Sequence, residues 1–421
     1  MSEAVDLAAG LVAADLRRQL THWLASARVF RNAEEFASSE AWHSVERTTG
    51  VPLRRELHRM VEALVALGES VEREIAAAGH EPAALIEAGR GVQRFRRRYI
   101  QVDTTLDFLG DAVNSRTSPL LRGALSTLDY LAVRSMTEVL ERAQKPVPPV
   151  LVYQDKGTGA SIIRAGVRLW SPESVMPVAA IKIVRHNLYR PTSLFHEVGH
   201  QVAFLTGWTD SMRNVIANAT SGDAELQQMW TAWTSEIVAD VFAFLHTGYA
   251  SVAALYDVVC DPATILRWPI GDPHPIGLLR TVLGCEMARA CFGRRGPWNA
   301  LERAMRARFS LQGADATVRP LIERSLAAIP QITSACLAAP VPALGGRPMT
   351  DVYDPQRVSP EALARLEAQV GEALWTSPHW RRAEGIRIIA LAGLREAERP
   401  ETAGLWIGRA RNWLTAQAAA A

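Results

Sequence analysis

The chain has 421 residues, of which 48% are hydrophobic and 21% are charged, and these values are typical of a globular protein. Its formal net charge of +2 gives no support for binding to nucleic acid or to a charged membrane surface. No stretch approaches the roughly 18 uncharged apolar residues that a membrane span needs, and the N-terminus lacks the basic and apolar regions of a secretory signal. We therefore expect a soluble cytoplasmic protein with no membrane span and no nucleic-acid partner. No pattern indicates an oligomeric state.

Residues 1–145 have the pattern of a helical bundle. Apolar residues recur at steps of three and four from Leu53 to Ala78, which predicts one long amphipathic helix. Similar patterns fill the rest of this region, and its three prolines stand where helices can begin. The Pro-rich segment Lys145–Pro149 cannot continue a helix and predicts a domain boundary.

Residues 146–338 mix short strands with helices, and residues 339–421 read as a linker and a helical region. The β-type runs that predict strands are Val150–Tyr153, Ser161–Ile163, Val167–Trp170 and Pro177–Val184. We expect them to form a small mixed sheet, largely antiparallel. The predicted helices of the middle region are Pro191–Thr206, closed by Gly207, and Asp223–His246, Tyr249–Val259 and Gly277–Cys291. The predicted fold class is α+β, predominantly α, in three parts: 1–145, 146–338 and 339–421.

The cysteines give no sign of a metal site of their own. Cys260, Cys285, Cys291 and Cys336 form no Cys-x-x-Cys pair. Four thiols in a chain of this length are typical of a reducing compartment, and we predict that they are small buried side chains.

The segment His196–His200 reads His-Glu-Val-Gly-His and lies in the first helix after the sheet. Helical spacing places His196 and His200 on one face, where two imidazoles can reach one tetrahedral zinc ion. Glu197 points slightly aside and can act as the general base for a water molecule without binding the metal itself. Gly199 leaves room for another backbone to approach the helix.

A third ligand is needed, and a later helix supplies a candidate. In the metzincin pattern a glycine and a histidine would follow His200 by three and six residues, but Ala203 and Thr206 stand there. The segment Glu236–Asp240 reads Glu-Ile-Val-Ala-Asp. Glu236 can donate a carboxylate oxygen to the metal, and Asp240, one turn later, can accept the free ring N–H of a ligand histidine.

A further segment, Asp272-Pro-His274-Pro, precedes Arg280. Together the three motifs resemble the gluzincin clan of metallopeptidases, and in particular the CAAX-processing and heat-shock-type endopeptidases. The resemblance covers residues 175–290. It implies a zincin-like domain, a Zn²⁺ cofactor and a peptide or protein substrate. The roles that it implies are zinc ligation by His196, His200 and Glu236, general-base catalysis by Glu197, ligand orientation by Asp240, and oxyanion stabilisation by His274 or Arg280.

The strand before the motif helix also has an implied role. In the zincin-like arrangement it would be an edge strand, and its backbone could pair with an extended substrate. The expected substrate-binding residues are Val178, Ala179, Ala180 and Ile181. Lys182 favours an edge, because charged side chains there discourage aggregation. The alternative is an ordinary strand inside the sheet.

Two other functions stay open. The chain could be a zincin-fold binding or regulatory protein without turnover, although the intact Glu197 argues against it. It could also be a metal hydrolase that acts on a non-peptide amide. The shape of the cleft separates this last alternative from a peptidase, since an open groove favours a peptide and a closed pocket a small molecule.

Overall fold

A computed structural model of the protein describes residues 2–45, 49–169, 175–268 and 272–416. The described chain is mainly helical with one three-stranded mixed sheet. The predicted class, predominantly α with a small mixed sheet, is confirmed. None of the described helices is long and apolar enough to cross a lipid bilayer. All four cysteines are free thiols, of which Cys285 and Cys336 are buried.

The first of two compact units comprises Met1–Ser118 and Ala165–Val178. Its helices are α1 (Ser2–Val29), α2 (Ser39–Val45), α3 (Val51–Ala78) and α4 (Pro82–Asn114). Helices α1, α3 and α4 pack on one another. The apolar stripe predicted for α3 is buried from Leu53 to Ile75. The prediction of a helical bundle is confirmed for these elements.

The second unit comprises Pro119–Arg164 and Ala179–Ala421. Its strands are β1 (Val150–Gln154), β2 (Ser161–Ile163) and β3 (Ala179–Ile183). Its helices are α5 (Pro119–Arg142), α6 (Thr192–Thr206), α7 (Trp208–Ala219), α8 (Ala224–Ala232), α9 (Thr234–Thr247), α10 (Tyr249–Val259), α11 (Gly277–Phe292), α12 (Pro297–Arg308), α13 (Arg319–Leu337), α14 (Pro360–Val370), α15 (Ala373–Thr376), α16 (Pro378–Glu398) and α17 (Ala403–Ala416). Compact units describe packing, whereas the boundaries predicted at 145 and 338 concern domains that fold independently, so those boundaries stay predictions.

The sheet has the strand order β1-β3-β2. Strand β1 is parallel to β3 over five residue pairs, and β2 is antiparallel to β3 over three, so the expectation of a largely antiparallel sheet is wrong. The prediction that β3 is an edge strand is therefore wrong, because hydrogen bonds to β1 and β2 occupy both of its sides. The expected substrate-binding residues Val178, Ala179, Ala180 and Ile181 are all buried, and a peptide could pair with them only by displacing a neighbouring strand.

Two other predicted elements differ from the structure. The strand predicted at Val167–Trp170 is reduced to one isolated bridge, between Arg168 and Val175, and Trp170 lies outside the described residues. The helix predicted over Asp223–His246 is divided into α8 and α9 at Trp233, whose φ of −87° and ψ of 1° are not helical. The buried Trp233 ring packs edge-on against Trp230, so tertiary packing sets the break.

Candidate metal centre

Helices α6 and α9 pack closely and carry the predicted ligands. Helix α6 ends where predicted, at Gly207, whose φ of 70° is left-handed. A Cβ added at Gly199 of α6 would lie 2.9 Å from Ala239 Cα and 2.9 Å from Phe242 Cβ, both on α9. Glycine is therefore what allows the two helix backbones to approach so closely, as predicted for this position. The approach brings the two histidines of α6 to Glu236 of α9.

The three predicted ligands converge. His196, His200 and Glu236 each offer one ligand atom, and these atoms lie within 4.8 Å of one another. His196 Nε2 lies 3.3 Å from Glu236 Oε2, and His200 Nε2 lies 3.4 Å from Glu236 Oε1. In a tetrahedral site with bonds near 2.0–2.1 Å, neighbouring ligand atoms stand about 3.3 Å apart. The group therefore has the residue types and the spacing to hold a metal ion.

The other ring nitrogen of each histidine faces an oxygen. His196 Nδ1 lies 2.9 Å from Asp240 Oδ1. His200 Nδ1 lies 3.3 Å from Ser235 Oγ. Partners at Nδ1 fix the orientation of a ring and leave Nε2 for a metal. The predicted orienting position of Asp240 agrees with this geometry, whereas Ser235 was not predicted, because a serine beside a ligand carries no distinctive sequence signal.

Arg280 connects the two carboxylates of α9. Its Nε donates to Asp240 Oδ2 at 2.6 Å and its Nη2 donates to Asp240 Oδ1 at 2.8 Å, and Nη2 also donates to Glu236 Oε2 at 3.2 Å. Burial alone would raise the pKa of Glu236 and of Asp240, but His196 and Arg280 outweigh it and hold both values below their usual range. These contacts place Arg280 as a positioning residue for Glu236 and Asp240. Its predicted role at an oxyanion stays a prediction.

His274 stands on the solvent side of the centre, with 55% of its side chain exposed. Asp272 Oδ1 lies 2.6 Å from His274 Nδ1 and also accepts the backbone N–H of His274 at 2.9 Å. His274 Nε2 lies 3.5 Å from Glu236 Oε2. This histidine therefore faces the ligand group and can be reached by a molecule that enters from solvent.

Glu197 is 5% exposed and lines the same cavity as His196 and Glu236. Burial raises the pKa of Glu197 to about 7, with Glu236 adding to the rise and His196 and Arg280 opposing it. A carboxyl group with a pKa near neutrality can both accept and return a proton.

The two histidines differ in their affinity for protons. Burial lowers the pKa of His196, but hydrogen bonds to Asp240 and Glu236 outweigh it and raise the value to about 10. Burial and the neighbouring His196 lower the pKa of His200 to about 4. In the metal-free protein, a proton on His196 therefore balances part of the negative charge of the two carboxylates.

A cavity of about 840 Å³ opens beside the candidate metal centre. Val252 and Leu255 of α10 and Met287 of α11 form an apolar part of its lining. The turn between β1 and β2, together with Lys182, Asn187 and Ser193, gives another part a polar character. Of the predicted substrate strand, only Lys182 reaches the cavity.

Comparisons of the chain with protein-family models, with curated proteins and with solved structures found no match. The interpretation of the site therefore depends on its residues and their geometry. These show a buried group of two histidines and a glutamate that could hold a metal ion.

Proposed function

We propose that the protein is a zinc-dependent metallopeptidase, as its resemblance to the gluzincin clan implies. The observation that carries the proposal is the convergence of His196, His200 and Glu236 beside the buried Glu197, at a cavity that opens to solvent. Each of these side chains has a use in amide hydrolysis: His196, His200 and Glu236 as metal ligands, and Glu197 as the general base.

Zinc is the metal that the donor set favours. Two imidazoles and one carboxylate are a common set in catalytic zinc sites, which leave a fourth position for water or substrate. Magnesium and calcium prefer sets made of oxygen atoms, and the two histidines make these ions poor candidates. When bound, a zinc ion would supply Lewis acidity, which lowers the pKa of water and polarises a carbonyl group.

The protein's own residues have the following roles in the proposed reaction. The Glu197 carboxylate takes a proton from the attacking water and passes it to the leaving amine. His274 donates from Nε2 to the oxyanion that develops on the scissile carbonyl, a contribution of roughly 3 kcal/mol in comparable sites. The Asp272 carboxylate lies 2.6 Å from His274 Nδ1 and fixes the orientation of the ring, so that Nε2 faces the site. Arg280 and Asp240 hold Glu236 and His196 in place.

A peptide substrate is favoured over a small amide by the cavity. Its lining includes both a polar and an apolar part, and His274 at its edge is exposed. Its volume of about 840 Å³ lies within the range for pockets that hold small ligands, so the size alone does not favour either substrate. The opening at His274 favours a peptide, because an extended chain can enter there and continue beyond the cavity. The cytoplasmic location stays a prediction from the sequence.

Metal analysis and peptide digestion test the proposal together. We expect one zinc ion per chain, and cleavage of a mixed peptide library that stops when a chelator is added and resumes with zinc. Zinc binding without cleavage of any peptide would favour the regulatory or binding protein. Hydrolysis of small acylated amines without cleavage of peptides would favour the non-peptide amidase.

A further inference from the structure

The polar part of the cavity lining contains groups that the proposed reaction does not use. Lys182 lies on β3, Asn187 lies just after it, and Ser193 lies in the first turn of α6. All three line the cavity that holds Glu197 and His196. All three residues therefore belong to the wall beside the metal centre.

Lys182 supplies a positive charge without a protein counter-charge. Among the described residues, no carboxylate lies within ion-pair distance of its Nζ. Its one hydrogen bond is long, 3.4 Å to the Lys156 carbonyl oxygen. The turn packs tightly on this ammonium group, since a Cβ added at Gly157 would lie 3.2 Å from Nζ. The lysine is thus held at the cavity wall and keeps donor capacity for a ligand.

Asn187 and Ser193 add donors without partners. Asn187 is only 4% exposed, yet its side-chain amide makes no hydrogen bond with any described residue. The Ser193 hydroxyl is buried and has no partner in the described chain. Buried polar groups are nearly always hydrogen-bonded, so an unpartnered amide and hydroxyl at a cavity indicate a ligand or water that completes them.

We propose that this wall binds a carboxylate of the substrate, with Lys182 as the counter-charge and Asn187 as a neutral donor. The inference rests on the proposed peptidase function and adds a substrate class to it. A peptide offers a carboxylate either at its C-terminus or on an Asp or Glu side chain, and both would fit the same donors. The apolar lining at Val252, Leu255 and Met287 would take a neighbouring apolar side chain.

A binding experiment tests the carboxylate preference without requiring turnover. Two probes share a hydroxamate, which binds zinc, and an isobutyl group, and differ only in a carboxylate or a primary amide. Titration calorimetry on the zinc-loaded full chain should show the carboxylate probe binding about 10- to 100-fold more tightly, the range for a hydrogen bond to a charged group. Lys182→Met should remove this preference, and Lys182→Arg should retain part of it.

Lys156→Met is the matched control, because Lys156 is exposed on the same turn and its side chain does not line the cavity. It should keep the full preference, and zinc content and circular dichroism should match wild type in all three variants. Equal binding of the two probes to wild type would overturn the inference. So would a preference that survives in Lys182→Met.

Peptide cleavage then identifies the source of the carboxylate. One pair of peptides carries a free or an amidated C-terminus, and a second pair, with both ends blocked, carries Glu or Gln near the cleaved bond. A loss of kcat/KM in Lys182→Met that is confined to the free C-terminus assigns the terminal carboxylate, and a loss confined to the Glu peptide assigns the side chain. An equal loss on all four peptides would overturn the inference. If wild type cleaves no peptide, the peptidase proposal fails, while the probe titration still decides whether the wall binds a carboxylate.

Discussion

Gly199 offers a sharp test of the metal centre, because it sets the separation of the two helices that carry the ligands. A Cβ at this position would lie 2.9 Å from Ala239 Cα and 2.9 Å from Phe242 Cβ, whereas ordinary van der Waals contacts begin near 3.4 Å. The neighbours are a backbone atom and a Cβ atom, so neither can swing away. In Gly199→Ala, helices α6 and α9 must separate by about 0.5 Å or more.

The expected effects on folding and on metal binding differ in size. Overpacking costs roughly 1–3 kcal/mol, and replacing glycine by alanine inside a helix returns about 1 kcal/mol. The metal-free variant should therefore lose about 0–2 kcal/mol of unfolding free energy. Ligand distances in metal sites tolerate only about 0.2 Å. Because the helix separation exceeds this tolerance, we expect zinc to bind at least about tenfold more weakly, or about 1.4 kcal/mol.

Competition with a zinc-binding dye measures the metal affinity, and denaturant unfolding of the metal-free protein measures the stability. Gly408→Ala is the matched control. Gly408 lies inside α17, and a Cβ there meets no atom within 4 Å. This control variant should gain up to about 1 kcal/mol of unfolding free energy. It should bind zinc as tightly as wild type does. Wild-type zinc affinity in Gly199→Ala would refute the reasoning, because the ligands would then not depend on the approach of the two helices.

Three further predictions concern the metal ligands, the general base and the buried His246 of α9. His196→Ala and Glu236→Ala should each lose stoichiometric zinc, and elemental analysis that finds one ion per chain in both variants would contradict the ligand assignment. Glu197→Gln should retain zinc and fold while peptide turnover falls at least about 10²-fold; turnover equal to wild type would exclude Glu197 as the general base. Burial lowers the pKa of His246 from 6.5 to about 4, so the unfolded chain binds the extra proton as pH falls through this window. Wild type should therefore lose about 2 kcal/mol of stability between pH 7 and pH 5 relative to His246→Phe, which denaturant unfolding at the two pH values measures.

The ligand positions could be predicted from sequence because helix geometry fixes them locally. A spacing of four residues puts His196 and His200 on one face of any regular helix, and the same holds for Glu236 and Asp240. That the two helices would meet was implied by the combination of motifs. Within the two motifs, Gly199 was the only residue that indicated a close approach of the two helices.

The position of β3 in the sheet could not be predicted in this way. Lys182 suggested an edge, but strand order depends on pairing between distant segments, and a lysine fits a central strand when its side chain leaves the sheet for a cavity. The break at Trp233 has the same kind of cause, since no glycine or proline marks it. Asn187 was missed because a single asparagine in a turn has many ordinary uses.

The charge of the candidate centre gives a physical reason for these residues to occur together. Glu197, Glu236 and Asp240 are buried or nearly so, and Arg280 is the cation that pairs with the last two. With both histidines neutral and the three carboxyl groups ionised, the group carries two uncompensated negative charges, which is costly away from water. A divalent cation at the two histidines and Glu236 would cancel this excess without another protein residue. In its absence protons offset part of this charge. Against the effect of burial, hydrogen bonds to Asp240 and Glu236 raise the pKa of His196 to about 10, and burial, with Glu236 adding to it, raises that of Glu197 to about 7. Protons on His196 and Glu197 thus offset negative charge that a bound dication would otherwise offset.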